Sequence, residues 1–320
     1  MLRRTLVVGS LLFAAVFLWP VGDAVLRQLA WLLDHRSPHD QYVRELGRAG
    51  LDQTEQGRAW LAAAHAAIEQ PADGPAVFSR SGVFEEGRHG AYGWRFPVRR
   101  GQRVVITAAF GAGRLFIDLV DSNGRTTLAS AAAGSTRLTY DVKADARVIA
   151  RLQPEMSSAG PYRLMQRANA TLRFPVADVT PSGVQSTFGG ARDAGSRRHE
   201  GIDIFAPRGT PVVAAADGWI TAQTSNPLGG NVVWVWSLRP RVALYYAHLD
   251  RQAVSPGERV RAGDVIGYVG NTGNARGTAP HLHFGLYAPA VGAVDPLPFV
   301  CDAPCGERLM QRSRRENFGS

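Results

Sequence analysis

The sequence predicts a mainly β protein in which a membrane helix and a short helical segment precede two β domains. An uncharged run of 18 residues, 5–22, follows a basic start. From about residue 77 onward, short alternating apolar segments are divided by clusters of turn residues, which is the pattern of antiparallel β structure. The chain has 320 residues, 45% of them hydrophobic, and is therefore long enough to bury two cores.

The N-terminal segment decides the expected compartment. Residues 5–22 are close to the roughly 20 apolar residues that span a membrane, and Arg3 and Arg4 precede them. No clear small-residue cleavage site follows this run. We therefore expect residues 1–23 to be a signal anchor in the inner membrane, with the rest of the chain in the periplasm. Cleavage of the segment as a signal peptide would instead give a secreted protein.

Three segments follow the anchor. Residues 24–75 have helical apolar spacing and the alanine-rich stretch GRAWLAAAHAAIEQ, and they end in the turn-rich PADGPA, so they are predicted to be a helical segment and linker. Residues 76–172 contain short strands such as QRVVITAAF and RLFIDLVD, with the spacing of a β-sandwich accessory module. Residues 173–300 contain strands rich in Val, Tyr and Trp between glycine-rich turns, and are predicted to be a second β domain.

The remaining residues, 301–320, form a tail that contains the only two cysteines of the chain. Cys301 and Cys305 lie in the stretch CDAPC. In an exported protein a pair at this spacing is expected to form a local disulfide, and two cysteines are too few for a structural zinc site.

The net charge of +9 is concentrated in the middle of the chain. Residues 76–170 hold 14 basic and 7 acidic residues. This surplus favours an anionic partner such as a membrane or wall surface, the alternative being an ordinary solvated face. Nucleic acid is not expected as a partner, because the protein is predicted to be exported and the alternating aromatic residues Tyr92, Trp94 and Phe96 are typical of a core strand.

Three histidine-containing stretches of the second β domain predict its chemistry. They are HEGID, YYAHLD and HLH. His281 and His283 are two positions apart in a predicted strand, so both side chains point to the same face. Two buried imidazoles on one face would each need polar partners, and a metal ion satisfies this need.

The histidines of these three stretches and Asp203 fall into two sets, metal ligands and acid–base groups. His199, Asp203 and one member of the HLH pair would supply the three protein ligands of a catalytic zinc site, which keeps a fourth position open. Gly201 would let the backbone bend between the first two. The other member of the pair and His248 would then remain as acid–base or oxyanion-stabilising groups.

The stretches STFGGARDAGSRRHEGIDIFAPRGTPVVAAADGWI, YYAHLD and GYVGNTGNARGTAPHLHF resemble the lysostaphin-type, or LytM-like, zinc endopeptidases that cut peptide cross-links of bacterial peptidoglycan. The resemblance implies a compact antiparallel β domain with a zinc groove. It implies one zinc ion bound by His199, Asp203 and His283. It also implies that His281 and His248 are the catalytic histidines. His281 is then expected to accept the proton and His248 to stabilise the transition state, although these two roles could be exchanged.

The resemblance covers roughly residues 180–300 and has two departures. The stretch NARGTAP is longer than its counterpart in the family, and Gly285 stands where a glutamate is common. Both departures leave the ligands intact and bear on substrate preference. A Gram-negative envelope, indicated by the predicted anchor, favours the D-alanyl to diaminopimelate cross-link as the substrate bond.

Two other interpretations keep the β fold. Relatives that have lost zinc ligands act as scaffolds or activators of other wall hydrolases, but this chain has all five residues. A biotinyl or lipoyl carrier domain would need a lysine to modify, and the only lysine of the chain is Lys143, outside the second β domain. For the same-face pair Trp234 and Trp236, core packing is favoured over substrate stacking.

Overall fold

The computed structural model of the chain describes residues 36–192, 195–303 and 305. The predicted anchor at 5–22 lies outside the described residues. Within the described part, no helix is long and apolar enough to cross a membrane. The helices are α1 (Pro38–Arg48), α2 (Glu55–Glu69) and α3 (Leu297–Val300).

The first nine strands form two sheets packed face to face. They are β1 (Ala72–Asp73), β2 (Phe78–Phe84), β3 (Tyr92–Val98), β4 (Gln102–Phe110), β5 (Leu115–Val120), β6 (Thr127–Ser130), β7 (Arg137–Asp141), β8 (Ala146–Pro154) and β9 (Gly160–Ala170). One sheet has the order β1-β3-β8-β5-β6 and the other β2-β9-β4-β7. Alternate residues such as Phe96, Ile106 and Leu164 are fully buried between the sheets. The predicted sandwich architecture of this segment is confirmed.

The helices α1 and α2 cover the outer face of the five-stranded sheet. Ser37 and Thr54 cap their N-termini by accepting hydrogen bonds from backbone N–H groups. Trp60 of α2 is buried and donates a hydrogen bond from its indole to the carbonyl of Pro154 at 2.9 Å. Gly93 of β3 lets α2 approach closely, because a Cβ there would meet the carbonyl oxygen of Ala67. The helical segment is therefore one layer of the accessory unit.

The remaining strands form the second β domain. They are β10 (Val184–Ser186), β11 (Ala191–Arg192), β12 (Arg197–Arg198), β13 (Gly201–Phe205), β14 (Pro211–Val213), β15 (Gly218–Asn226), β16 (Gly230–Leu238), β17 (Arg241–Leu249), β18 (Arg251–Gln252), β19 (Arg259–Val260), β20 (Val265–Tyr268), β21 (His281–Ala288) and β22 (Gly292–Val294). The large sheet has the order β10-β13-β21-β17-β16-β15-β19, and β14-β20-β18 form a smaller sheet. The core lies on one face of the large sheet and contains Ile202, Tyr246 and Phe284.

The C-terminal segment joins the two units. The carbonyl of Phe299 accepts hydrogen bonds from the backbone N–H groups of Thr171 and Leu172, and Arg99 forms an ion pair with Asp295 at 3.1 Å. The predicted disulfide between Cys301 and Cys305 is present at the end of this segment. These contacts fix the sandwich beside the second β domain.

Candidate functional site

The pairing of β13 with β21 brings the predicted ligands together. Asp203 lies directly opposite His283 in the register of this antiparallel pair. The intervening residues of both strands, such as Ile202 and Leu282, are fully buried on the core face. His281 and His283 therefore share the opposite face, as their spacing predicts.

Three ligand atoms converge on one point of this face. The Nε2 atom of His199 lies 3.0 Å from the Oδ1 atom of Asp203 and 3.0 Å from the Nδ1 atom of His283, and the last two atoms are also 3.0 Å apart. No other group of at least three potential ligand residues is this close together within the described residues. Two imidazole nitrogens and one carboxylate oxygen in this arrangement form a donor set that fits zinc.

The charge state of the carboxylate suits a cation. Burial on its own would raise the pKa of Asp203, but hydrogen bonds from His199 and His283 hold that pKa well below its usual range. Burial lowers the pKa of His283. An ionised Asp203 beside a His283 ring whose neutral form is favoured suits the binding of a metal ion, because a carboxylate and a neutral imidazole are the forms that bind metals.

Outer contacts orient two of the ligands. The Nδ1 atom of His199 lies 2.9 Å from the carbonyl oxygen of Thr187, which sets its Nε2 atom toward the other ligands. Arg192 donates a hydrogen bond from Nη2 to the Oδ2 atom of Asp203 at 2.7 Å, and contacts Ser186 through the same nitrogen. Asp203 therefore uses one oxygen toward the histidines while Arg192 holds the other.

Arg192 is a residue of the site that the spacing of the predicted ligands does not indicate. It stands seven positions before His199, and the strand period relates it to none of the predicted ligands. The hairpin of β11 and β12 carries it back over Asp203. Arg192 ends the stretch STFGGAR, which is part of the sequence that resembles the family. This resemblance is the one feature of the sequence that could indicate a role for Arg192.

Replacing Arg192 with glutamine is expected to weaken zinc binding about 10- to 100-fold, as is typical for the loss of an outer-shell partner. The reason is that Asp203 loses the donor that fixes the orientation of its carboxylate. Competition with a chromophoric chelator measures the change. Arg276→Gln removes an exposed arginine of the same domain and is the charge-matched control. Equal zinc affinity in both variants would show that Arg192 does not position the ligand.

Gly201 has a different role from the predicted one. It is the first residue of the strand β13, and its backbone does not have the positive φ of a glycine turn. A Cβ at this position would lie 2.8 Å from the Cε1 and Nε2 atoms of His283 and 2.6 Å from the carbonyl oxygen of Phe284. The prediction of a backbone bend is therefore wrong, and glycine is required here because the ring of His283 occupies the space.

The variant Gly201→Ala is expected to lower zinc affinity, because its methyl group displaces the His283 ring from the ligand cluster. The same chelator competition measures the loss. Gly74→Ala is a suitable control, since a Cβ at Gly74 meets no atom within 4 Å. Unchanged zinc affinity in Gly201→Ala would contradict the steric explanation.

A β-bulge places His248 in the site. In β17, the register against β16 shifts between Tyr246 and Leu249, and His248 has a positive φ of 63°. Tyr246 is fully buried in the core, so regular alternation would direct His248 to the core face as well. The bulge turns it toward the ligands, where its ring centroid lies 5.9 Å from that of His283.

His248 and His281 present the same hydrogen-bonding arrangement. The Nδ1 atom of His248 lies 2.9 Å from the carbonyl oxygen of Thr272, and that of His281 lies 2.9 Å from the carbonyl oxygen of Ala279. With Nδ1–H donating to a carbonyl, the Nε2 atom of each ring is left as a proton acceptor. Burial lowers the pKa of His248 to about 4. Both rings therefore have the chemistry of a general base.

The five residues line one groove with a volume of about 640 Å³. All of its lining residues come from the second β domain, so the sandwich does not contribute to its wall. The stretch NARGTAP contributes Asn274, Ala275 and Thr278 to the wall. Across the groove, burial and the nearby Glu200 carboxylate raise the pKa of Tyr287 to about 12, which keeps its hydroxyl a neutral donor.

Aromatic side chains occupy the end of the groove next to Gly285. Trp234 is half-buried, lines the groove and packs on Tyr245 and Tyr287, with ring centroids 4.6 Å and 5.3 Å away. The expected core packing of Trp234 and Trp236 is wrong, because both lie on the face of β16 opposite the core residues of that strand. The alternating pattern identified a shared face but not which face was buried.

The family of this domain follows from its sequence. Residues 197–296 match Peptidase family M23. This part of the chain is an M23 peptidase domain. Its range includes all five residues of the site, and the resemblance found in the sequence is confirmed.

Three curated relatives of the M23 domain are endopeptidases by name. The chain is 36% identical over 118 residues to the peptidoglycan DD-endopeptidase ShyC of Vibrio cholerae, 37% over 124 residues to the glycyl-glycine endopeptidase ALE-1 of Staphylococcus capitis, and 38% over 122 residues to the L-Ala–D-Glu endopeptidase of Bacillus subtilis. These matches cover 37%, 38% and 36% of this chain, and only 26%, 34% and 37% of the relatives. The three names specify three different bonds.

Among solved structures, the chain is similar to the catalytic domain of lysostaphin from Staphylococcus simulans. The identity is 32%, the TM-score is 0.34, and the match covers 37% of this chain and 93% of that domain. The chain is also 39% identical to the structure of LytU, with a TM-score of 0.34 and coverage of 40% of this chain and 90% of the other.

Proposed function

We propose that the M23 domain is a zinc-dependent endopeptidase that hydrolyses peptide cross-links of peptidoglycan. The observation that carries the proposal is the convergence of His199, Asp203, His283, His248 and His281 on one open groove. The names of the curated relatives support peptidoglycan as the substrate class.

The proposed chemistry divides the five residues into two sets. His199, Asp203 and His283 would hold one zinc ion. When bound, zinc supplies Lewis-acid chemistry by polarising a carbonyl and lowering the pKa of water toward about 7. His281 accepts the proton of the attacking water through Nε2. His248 stabilises charge that develops on the substrate oxygen when its Nε2 carries a proton as well, so that this atom can donate a hydrogen bond to that oxygen. Because the Nδ1 atoms of both rings make the same kind of hydrogen bond to a backbone carbonyl, His281 and His248 could also exchange these two roles.

For the bond that is cut, we propose the D-alanyl to diaminopimelate cross-link. The relative from Vibrio cholerae is named a DD-endopeptidase, which supports this choice. The groove wall from NARGTAP and the aromatic cluster around Trp234 surround the position that the substrate peptide would occupy. These two features are where a preference among peptides would arise.

The test uses purified protein and isolated Gram-negative sacculi. We expect cross-linked muropeptide dimers to become monomers, about one zinc per chain, and loss of activity on chelation that zinc restores. Monomers with a newly exposed D-alanyl carboxyl group identify the proposed bond. Protein that is loaded with zinc and binds sacculi but leaves all cross-links intact would favour the non-catalytic scaffold instead.

We also propose that the enzyme faces the periplasm and is held at the inner membrane by residues 5–22. The uncharged run behind Arg3 and Arg4 supports this location. Fractionation of cells that make the full chain tests it, because an anchored protein stays with the inner membrane in high salt and is released by detergent. Recovery of a shortened chain in the soluble periplasmic fraction would show cleavage.

A further inference from the structure

One sheet face of the accessory unit is open to solvent and basic. The outer face of the sheet β1-β3-β8-β5-β6 is covered by α1 and α2, whereas the outer face of β2-β9-β4-β7 has no covering element among the described residues. On β9, Arg163 and Arg167 point outward, because Leu164, Gln166 and Ala168 between and beyond them are buried.

Neighbouring strands extend this charged surface. Arg103 of β4 and Arg137 of β7 are exposed and have the same outward phase. We call the outward surface that carries Arg103, Arg137, Arg163 and Arg167 the basic face. Its acidic residue is Asp141, which is paired with Arg103. Within the described residues the other three arginines form no ion pair, so their charge is available to a partner.

The spacing of these arginines suits an array of anions. Arg163 and Arg167 are four residues apart on one strand, which corresponds to about 13 Å. Arg137 lies two strands away from Arg163, across β4. Charges distributed over a flat face match a surface of many separate phosphates better than a single small anion.

Exposed apolar side chains accompany the charge. Eight large hydrophobic side chains are exposed in the described part of the chain, and the two most exposed are Val83 at 64% and Val291 at 56%. Val83 lies on the basic face, opposite Pro161 in the register of β2 and β9, and Met165 lies between the two arginines of β9. Scattered exposed hydrophobics are ordinary, but a group beside a basic surface indicates an interaction site.

A cavity of about 670 Å³ connects the basic face to two hairpin tips of the M23 domain. Arg103 and Asp141 line it on one side. Leu238, which is the last residue of β16 and is 52% exposed, and Val291, in the turn before β22, line it on the other. Further cations at this cavity are Arg100, Lys143 and Arg239. The two apolar tips thus share one cavity with several basic residues.

We propose that the basic face and the tips Leu238 and Val291 bind the surface of an anionic phospholipid membrane. Arginine guanidinium groups bind phosphates, and apolar tips among them enter the boundary between head groups and acyl chains. A hydrated wall polymer would use the arginines but offers no apolar layer for the tips. The sequence predicts only an anionic partner for the middle segment. The proposal specifies this partner as phospholipid and names the residues that bind it.

The test measures binding of the full chain to vesicles of phosphatidylcholine alone and of an equal mixture of phosphatidylcholine and phosphatidylglycerol. Neutral vesicles measure the apolar contribution of residues 1–35. The arginines of that segment, such as Arg3 and Arg4, are the same in every variant, so the change in the gain from anionic lipid between the wild-type chain and a variant reports the basic face. The double variant R163Q/R167Q is expected to lose about tenfold or more of the affinity gained from the anionic lipid. Its binding should also depend less steeply on salt.

The matched control removes the same charge from the opposite side of the sandwich. Arg44 of α1 and Arg58 of α2 are exposed on the helical layer, and R44Q/R58Q is expected to retain the gain from anionic lipid. A third variant, L238S/V291S, should weaken binding to the anionic vesicles and leave the steepness of the salt dependence unchanged. Circular dichroism checks that all three variants fold.

Equal binding of the wild-type chain to the two kinds of vesicle would overturn the proposal. So would an equal loss in R44Q/R58Q and R163Q/R167Q, because the effect would then come from net charge. Binding to isolated sacculi that R163Q/R167Q abolishes, without a gain from anionic vesicles, would assign the face to wall polymer. None of these outcomes requires the M23 domain to be active.

Discussion

The variant His281→Ala is expected to retain zinc and to lose about 10²- to 10⁴-fold in turnover, the range for removal of a general acid or base. The imidazole of His281 lies on the groove, packs against Phe205 with ring centroids 4.9 Å apart, and takes no part in the ligand triangle. Its removal should therefore leave the metal ligands in place. Zinc content by mass spectrometry and release of muropeptide monomers measure the two quantities.

His65→Ala is the control for this variant. His65 is an exposed histidine on α2, with 72% of its side chain accessible, and it lies outside the M23 domain. This control should keep both zinc and turnover. Loss of zinc in His281→Ala would instead show that His281 is a zinc ligand, and the proposed roles of His281 and His283 would then be exchanged. Full activity without His281 would leave His248 as the general base.

The sequence predicts much of the ligand set because it lies on two regular strands. Side-chain alternation places His281 and His283 on one face, and the register of β13 against β21 then puts Asp203 opposite His283. Alternation is a local property of the chain, whereas the register is set by the pairing of strands about 80 residues apart. The spacing of the histidines therefore predicts the shared face, whereas the pairing of the two strands is predicted only by the resemblance to a family.

His248 shows where a periodic pattern gives the wrong answer. A regular β17 would direct it toward the core with Tyr246, and a bulge with a left-handed residue reverses this. Neither HLD nor its neighbours contain the glycine that commonly marks such a position. The strain of the left-handed backbone is tolerated where surrounding contacts fix it, here the bond from His248 to Thr272.

The wrong prediction of core packing for Trp234 and Trp236 has a related cause. Trp234 and Trp236 are large and apolar, and their strand has apolar residues on both faces, with Val233 and Val235 in the core. Period alone then cannot decide which face is buried. The decision comes from the groove, which turns one face of the large sheet into a wall lined by aromatic residues.

The sequence predicts the helices of residues 24–75 but not that they form a layer on the sandwich. Its spacing fixes Trp60, Ala64 and Ala67 on one side of α2. The surface that they cover is defined by Gly93, whose missing side chain makes room for the helix, and by Pro154 at the end of β8. A close approach of this kind depends on two distant segments, and one glycine in a strand does not reveal its partner.

The variant His283→Ala is expected to lose zinc as well as turnover. Its Nδ1 atom is one corner of the ligand triangle, so its removal leaves two protein ligands where a catalytic zinc site uses three. The loss of zinc affinity should exceed the roughly 10- to 100-fold expected for an outer-shell residue such as Arg192. Chelator competition measures both variants on the same scale.

The comparison of His283→Ala with His281→Ala tests the division of roles most directly. The two residues have the same chemistry, share one strand face and are separated only by the buried Leu282. Both variants replace a histidine of the same strand with alanine. A difference in zinc content between them therefore reports the position of each ring relative to Asp203 and His199. If His283→Ala retained wild-type zinc affinity, the triangle would not be the metal site. The proposed endopeptidase chemistry would then lose its foundation, while lipid binding by the basic face would be unaffected.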